Sequence, residues 1–282
     1  MSSSRYLNFG CGGVFHPEWT NVDMSPVHPE VIACDLTKGL PFPDQSFDVV
    51  YSSHVMEHFH PTAAAMMLRE CRRVLVPGGI CRIVVPDLED QARTYLAKLQ
   101  AATPGDARSE AEYDWSVLEL IDQMVREKPG GQMYEYLIAP NFPAAEFVGE
   151  RVGKSALATY RNLQSSQTSA GQRRPDKIAH PLRRLLMSML IRMNRLRYVA
   201  AGSSTRSLSA DGEAAFRQTG EVHRWAYDRF SMRRALLKAG FSSAEVVSYT
   251  ASRIPDFSSY LLDMTETREE RRPHSVYIEG IL

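Results

Sequence analysis

Short apolar runs alternate with amphipathic segments through the first 87 residues of the chain. Runs rich in β-branched and aromatic residues predict strands, whereas apolar residues at helical spacing predict a helix. Strands and helices that alternate in this way are typical of βαβ units and of a parallel sheet. The predicted strands are Tyr6–Phe9, Thr20–Val22, Val31–Ala33, Phe47–Tyr51 and Cys81–Val85, and the predicted helix is Ala63–Leu75, ended by Pro77, Gly78 and Gly79.

The alternation stops after Asp87 and returns near Glu221. We interpret residues 88–220 as a mainly helical insertion that covers the binding site, because helical segments there lead into stretches rich in Ser, Gln, Gly and Arg. Residues 1–87 and 221–282 together have the size of one doubly wound, mostly parallel α/β domain. The predicted elements of this part are helices over Leu88–Ala101, Trp115–Glu127 and Ser231–Ala239, the last ended by Gly240, and strands near Val246–Tyr249 and over Ser275–Glu279.

Composition narrows the class of protein. The chain has 282 residues, 44% of them hydrophobic, which is enough for a sizeable core. Since 33 Lys and Arg balance 33 Asp and Glu, we expect no nucleic-acid partner. The four cysteines form no C-x-x-C pair, and neither a signal core nor an apolar stretch of membrane-spanning length is found, so we expect a cytoplasmic protein with reduced thiols.

A basic amphipathic stretch lies within the insertion. Between Gly171 and Arg206, nine Lys or Arg residues stand against one acid, Asp176, and the apolar residues of 178–199 fall on roughly one helical stripe. Such a helix either packs on its own domain as a lid or makes weak contact with an anionic membrane surface. Both interpretations stay open.

The residues that follow the predicted strands are the first candidates for a binding site. Ligands of open α/β sheets bind outside the carboxyl ends of the strands. There the chain has a glycine turn at residues 10–13, then Asp23 and Asp35. Asp23 is placed to accept hydrogen bonds from a ribose, although an Asp before Ser25 and Pro26 is also common turn chemistry. Phe15 replaces the third glycine of a dinucleotide fingerprint, which favours an adenosine cofactor without a pyrophosphate.

Six ordered motifs then resemble those of class I S-adenosylmethionine-dependent methyltransferases, in particular the type 11 group. The resemblance covers residues 5–87 and resumes over 221–241. It implies a Rossmann-like sheet. The motifs are Leu7–Gly12 (LNFGCG), Asn21–Asp23 (NVD), Asp35–Leu36 (DL), Leu40–Val50 (LPFPDQSFDVV), His54–His58 (HVMEH) and Arg69–Gly79 (RECRRVLVPGG).

The resemblance also implies a cofactor, S-adenosyl-L-methionine, with S-adenosyl-L-homocysteine as product. Gly10 and Gly12 would let the backbone approach its methionine part, Asp23 would bind the ribose, and Asp35 with Leu36 would meet the adenine. Two departures are Asn8 in place of an acid and a first crossover too short for its usual helix. The full set of implied cofactor-binding residues is Phe9, Gly10, Cys11, Gly12, Asp23, Met24, Asp35, Leu36, Ser52, Ser53, His54 and His58.

The expected reaction is O-methylation of a small hydroxylated acceptor, such as a sugar, a glycan precursor or a secondary metabolite, with N-methylation left open. A neutral histidine is the usual base near neutral pH, so His223 and then His54 are the candidate catalytic residues. A buried histidine bonded to a main-chain carbonyl is the alternative for His223. The candidate substrate-binding residues are Trp225, Tyr227, Asp122 and Arg126, although aromatic residues beside a helix are often core.

Two interpretations from other classes are kept. His54, Glu57 and His58 read as H-x-x-E-H, the inverted zinc-peptidase signature, which needs both histidines on one helix. Asn8 and the short crossover suit a non-catalytic binding or regulatory protein on a methyltransferase fold. For the methyltransferase itself we expect no metal. Oligomeric state cannot be read from this sequence.

Overall fold

The computed structural model describes residues 5–139, 143–153, 156–158, 216 and 219–282. The basic segment 178–199 lies outside these residues. Among the described residues, seven strands form one sheet in the order β3-β2-β1-β4-β5-β7-β6. The strands are β1 (Tyr6–Phe9), β2 (Thr20–Asp23), β3 (Val31–Ala33), β4 (Phe47–Ser53), β5 (Leu75–Pro86), β6 (Ser243–Val247) and β7 (Ser275–Ile281).

The sheet is parallel from β3 to β5, and β7 runs antiparallel to both of its neighbours. Asn8 of β1 aligns with Asn21 of β2 and Tyr51 of β4, so the carboxyl ends of these three strands meet at one edge. This confirms the predicted mostly parallel, Rossmann-like α/β fold. The strands come from residues 6–86 and 243–281, and the division into core and insertion stays a prediction.

The predicted end of the first helix is wrong. Helix α1 ends at Val74, and Pro77, Gly78 and Gly79 lie inside β5. The backbone turns extended at Leu75, which already pairs with Phe47. The two glycines take their main-chain partner from the far end of the chain, since Gly78 N–H donates to Leu282 O and Leu282 N–H donates to Gly79 O. A Pro-Gly-Gly run here marks an irregular stretch of strand, where pairing skips before regular register resumes.

Two helices cover one face of the sheet. α1 begins at Pro61, which suits the first helical position, and α6 begins after Asp228, whose capping box with Ser231 satisfies free N–H groups. Gly240, at φ 100°, ends α6 as predicted. No helix of the described residues is both long and apolar enough to cross a membrane. The helices are α1 (Pro61–Val74), α2 (Leu88–Ala101), α3 (Ala107–Val125), α4 (Gly131–Ile138), α5 (Ala145–Val152) and α6 (Arg229–Ala239).

The other face is covered by aperiodic chain. Aromatic and aliphatic residues from the segment 254–262 and from Trp19 pack there on Tyr51 and Val84. Arg82 of β5 lies fully buried in this layer and pairs with Asp263 and Glu279, in each case at 2.7 Å. No local sequence pattern predicts this network.

The short first crossover has its own amide framework. Residues 10–19, all of them described, form no helix, as the short spacing predicts. Asn8 donates to Val14 O and to Asn21 Oδ1, and Asn21 donates to His16 O and Trp19 O. Because a buried carbonyl without a donor is costly, these two amides replace the hydrogen bonds that a helix would have supplied. Asn8 therefore has a structural reason to be an amide.

Candidate active site

The glycine turn is tied to the end of β2 by Asp23. Gly12 N–H donates to Asp23 Oδ2 at 2.8 Å, and Ser25 N–H donates to Oδ1 at 2.7 Å. Both expectations for Asp23 are thus compatible with its geometry, because each carboxylate oxygen keeps a further lone pair. Gly12 has φ 53°, and a Cβ built on it would meet nothing within 4 Å, so its backbone faces open space. This edge can receive a ribose diol.

Exposed apolar side chains lie on β3 and on the segment between β2 and β3, near the residues that the resemblance implies in adenine binding. Met24, Val27 and Ile32 are each about half exposed, which is unusual for such side chains next to a core. Asp35 caps the turn at Leu36–Lys38 by accepting from Thr37. Leu36 is buried. A flat heteroaromatic base with one polar edge fits this combination, as the resemblance implies.

The end of β4 holds three of the predicted cofactor residues. Ser52 is fully buried, and its hydroxyl has no hydrogen-bond partner among the described residues. His54 has φ 55°, a left-handed conformation that is uncommon for residues other than glycine and is often found at functional sites. Its Nε2 lies 2.9 Å from Ser275 Oγ. Ser53 is half-buried.

One contact joins the glycine turn to the segment after β4. A Cβ atom on Gly10 would lie 2.4 Å from Val55 Cγ2, so only glycine fits against Val55 at this place. Gly10 also has φ 64°. Val55 directly precedes a 3₁₀ turn at Met56–His58. The predicted cofactor edge and the residues of this turn are therefore direct neighbours.

Glu57, His58 and His223 form a compact cluster. One potential ligand atom from each lies within 4.8 Å of those of the other two. The imidazole rings of His58 and His223 meet edge to face, with centroids 4.7 Å apart. Glu57 is 1% exposed, and neither of its carboxylate oxygens has a hydrogen-bond partner among the described residues. His54 borders the cluster, with its Nδ1 3.7 Å from Glu57 Oε1.

Burial sets the charge of this cluster. It raises the pKa of Glu57 from 4.5 to about 8, and the main-chain N–H of Glu57 and the charge of Arg272 offset this only in part. Burial, reinforced by His58 and Arg126, lowers the pKa of His223 from 6.5 to about 3. Burial, reinforced by Arg272, also holds the pKa of His54 well below 6.5. At neutral pH the imidazoles are thus uncharged, and Glu57 is mostly protonated.

The segment 221–227 is held in place by main-chain hydrogen bonds. Arg224 N–H and Trp225 N–H donate to Glu57 O at 2.8 and 3.1 Å. His223 N–H donates to Gln123 O of α3. These bonds bring His223 to a turn that lies 165 positions earlier in the chain, a proximity that no local pattern encodes. The sequence analysis singled out Glu57, His58 and His223 but did not bring the three together.

Asp122 and Arg126, predicted to bind substrate, form buried ion pairs. Arg126 donates to Asp122 Oδ2 at 2.8 Å and to Glu221 Oε1 at 3.1 Å. Asp122 also accepts from the main chain of Gln132, at the start of α4. These contacts position Glu221 and hence His223. Direct contact of Asp122 or Arg126 with a substrate stays a prediction.

Trp225 and Tyr227 differ in exposure. Trp225 is 46% exposed, whereas Tyr227 is buried and its carbonyl accepts from Leu88 N–H. Both side chains line a small cavity beside the cluster, together with Leu120, Gln123 and Met124 of α3. They also border a groove of about 310 Å³ between α1 and α6. Their predicted role in acceptor binding stays a prediction.

The cysteines do not add chemistry to this site. All four are free and buried. Burial, reinforced by Asp23, raises the pKa of the Cys11 thiol to about 12. Cys11 therefore stays protonated beside the glycine turn and is a poor nucleophile.

Comparison with known proteins agrees with this geometry. Residues 7–83 match a family model described as a methyltransferase domain. Residues 7–83 are therefore similar to a methyltransferase domain. The matched residues include β1 to β4, the glycine turn, Asp23 and the 3₁₀ turn with Glu57.

Two curated relatives align with parts of this chain. "Uncharacterized protein YafE" of Escherichia coli (strain K12) is 45% identical over 132 residues, which covers 43% of this chain and 62% of that protein. "Probable tRNA methyltransferase 9B" of Bos taurus is 40% identical over 67 residues, which covers 23% of this chain and 15% of that protein. The chain therefore spans less than two thirds of the length of either relative.

Solved methyltransferase structures align over the whole chain at low similarity. An S-adenosylmethionine-dependent methyltransferase from Mesorhizobium loti has a TM-score of 0.36 and 15% identity, covering 99% of this chain and 91% of that chain. One from Thermotoga maritima has a TM-score of 0.37 and 14% identity, covering 100% and 83%. At these TM-scores neither says anything about the acceptor.

Proposed function

We propose that this protein is an S-adenosylmethionine-dependent methyltransferase that methylates a hydroxyl group of a small acceptor. The observation that carries the proposal is the contact between Gly10 and Val55. It supports the proposal because the glycine turn, which the resemblance implies in cofactor binding, touches the segment that leads into the 3₁₀ turn with Glu57 and His58. Methyl transfer needs the cofactor and the acceptor group close together, because it is a displacement in which the two reactants must be held in line.

The residues of the edge would hold the cofactor. The main chain at Gly12 and the carboxylate of Asp23 would bind its amino-acid and ribose parts, and Met24 with Leu36 would flank its adenine. When bound, S-adenosylmethionine supplies an activated methyl group on a positively charged sulfur. Ser52, whose buried hydroxyl has no partner among the described residues, would face this part of the site.

The histidines would handle the acceptor proton. A hydroxyl oxygen becomes a better nucleophile when an adjacent group accepts its proton, and an uncharged imidazole has a lone pair for it. His223 and His54 both stay uncharged at neutral pH. Both lie next to Glu57, the first within the cluster and the second at 3.7 Å. We assign them as base or substrate ligand.

The surroundings favour a small, hydroxylated acceptor. The cavity beside the cluster combines polar side chains, Gln91 and Gln123, with apolar Leu120 and Met124. This cavity, of about 10 Å³, has room for the reacting hydroxyl group alone, so the rest of a sugar, glycan precursor or secondary metabolite would lie outside it. The balanced charge of the chain offers no broad attraction for nucleic acid. Because the bovine relative is named as a probable tRNA methyltransferase, the acceptor screen also includes an RNA sample.

The test has two stages. Calorimetric titration with S-adenosylhomocysteine, with NAD as the negative control, should give micromolar binding of the first alone. Asp23→Ala should weaken that binding by about tenfold or more through loss of charge-assisted hydrogen bonds. The matched control is Asp44→Ala, whose exposed carboxylate pairs with Arg73 away from this edge. Transfer of labelled methyl to hydroxylated metabolites then identifies the acceptor. Unaltered affinity in Asp23→Ala would refute the assignment of the edge.

A further inference from the structure

The cluster of Glu57, His58 and His223 contains more buried polar atoms without a hydrogen-bond partner than a folded core normally tolerates. Glu57 Oε1 and Oε2 and His58 Nδ1 are all buried without a hydrogen-bond partner among the described residues. Each unpaired buried polar group has lost its hydrogen bonds to water and gained none in return, which destabilises the fold. Three such atoms in one place, all facing a second imidazole, call for a partner that completes them.

The chemistry of these atoms selects the partner. One carboxylate and two imidazoles are a frequent ligand set for zinc at sites that keep a fourth position open. Magnesium and calcium prefer sites made of oxygen atoms. A water molecule could satisfy one or two of these atoms. A divalent transition-metal ion would satisfy the carboxylate and both rings at once.

We propose that Glu57, His58 and His223 bind one divalent transition-metal ion of the zinc type. The fourth position would face the cavity lined by Gln123 and Met124. The Val222 main chain lies close enough to raise the pKa of His58 against the effect of burial, so it is placed to support this ring as the outer partners of metal-bound histidines do.

The backbone fixes two of the three ligands to each other. Arg224 N–H and Trp225 N–H donate to Glu57 O, so the chain directly after His223 is tied to the turn that carries Glu57 and His58. Tetrahedral zinc with bonds of ~2.0–2.1 Å places its ligands about 3.4 Å apart. The ligand atoms here lie within 4.8 Å of one another, so small side-chain rotations would close the site.

The charge nearby does not forbid a cation. Arg126 is the nearest positive group that acts on both His58 and His223. Its guanidinium is already paired with Asp122 and Glu221. Arg272 acts on Glu57 and on the neighbouring ring of His54, and it does not act on the rings of His58 and His223. The metal would displace the proton of Glu57, which leaves to solvent, and the resulting carboxylate would add the negative charge that the metal needs.

The site differs from both earlier expectations about metals. The sequence analysis expected a methyltransferase without a metal, and this proposal adds one. The proposed site also differs from the H-x-x-E-H site, because His54 is not a ligand: it precedes the 3₁₀ turn in a left-handed conformation, and its Nε2 lies at Ser275. The occupant of the open position rests on the proposed function: it would be the acceptor hydroxyl. His223 would then hold the acceptor through the metal, and His54 would be the histidine left as proton acceptor.

The experiment uses the purified full chain, freed of metal with a chelator and dialysed. Titration with zinc chloride should show one equivalent bound, and magnesium chloride should bind far more weakly. Cobalt(II) should give the strong visible absorption of a four-coordinate site. Glu57→Gln, His58→Ala and His223→Ala should each weaken zinc binding by about 100-fold or more. His28→Ala, at an exposed histidine outside the cluster, should leave it unchanged.

The outcomes separate cleanly. Absence of zinc binding, equal binding of magnesium, or wild-type zinc affinity in the cluster variants would overturn the proposal. Circular dichroism identifies any variant that fails to fold, and His223→Asn then serves as the milder substitution. S-adenosylhomocysteine is titrated in parallel. Protein that binds it but no zinc overturns the metal site alone, and protein that binds zinc but not this nucleoside overturns the methyltransferase proposal alone.

Discussion

Replacement of Glu57 by Gln should change how stability depends on pH. In the metal-free protein, burial raises the pKa of Glu57 from 4.5 to about 8. Between these values the folded state keeps a proton that the unfolded chain has lost, so stability falls as pH rises. At ~1.4 kcal/mol per pH unit, the full loss is about 5 kcal/mol above pH 8. Gln cannot ionise, so the variant lacks this loss.

The assay is urea unfolding of both proteins at pH values from 5 to about 9, in the presence of a chelator. Other buried acids, such as Asp263 and Glu270, contribute equally to both curves, so the difference between the two isolates Glu57. Glu150→Gln, at an exposed glutamate of α5, is the matched control and should run parallel to wild type. Curves for wild type and Glu57→Gln that stay parallel across this range would refute the reasoning. Zinc should stabilise wild type and not the variant.

Three further predictions concern the turn, the buried network and the histidines. Gly10→Ala should destabilise the fold by about 1–2 kcal/mol because of its positive φ, and further because the new Cβ would lie 2.4 Å from Val55 Cγ2. It should also weaken S-adenosylhomocysteine binding. Gly13→Ala, with open space around it, should have neither effect. Arg82→Met should cost about 3–5 kcal/mol in urea unfolding, because it leaves Asp263 buried without its cation; wild-type stability would contradict the account. Burial lowers the pKa of His223 to about 3, so His223 stays unprotonated between pH 7 and 6 and should cause no fall in kcat/KM over that range. A fall in kcat/KM centred near pH 6.5 in wild type that is absent in His223→Ala would disprove this prediction.

Local patterns predicted the parallel part of the sheet well. Strands such as Tyr6–Phe9, which is buried throughout, and Val31–Ala33 are short apolar runs, so their sequence suffices. The helix Leu88–Ala101 was also predicted with its bounds, since Asp87 provides a cap and the residue after it starts a clear amphipathic pattern. The cofactor edge followed from these strand ends, because topology alone brings β1 and β2 together.

Features that depend on distant pairing were not predicted. Pro77 to Gly79 looked like a helix stop because their partner, Leu282, comes from the other end of the chain. Arg82 carried a signal in hindsight, as a charged residue inside an apolar strand. Its partner Asp263 lies 181 positions away, in a segment without periodicity. The cluster at Glu57 was not predicted for the same reason, because His223, which completes it, lies 166 positions further along the chain.

The measurement that tests the central claim most directly is calorimetric titration of the full chain with S-adenosylmethionine and S-adenosylhomocysteine. The account predicts micromolar binding of both, no binding of NAD, and a loss of about tenfold or more in Asp23→Ala. Absence of binding by the correctly folded protein would contradict it. The fold would then serve a non-catalytic role, and the edge at Gly12 and Asp23 would have another ligand.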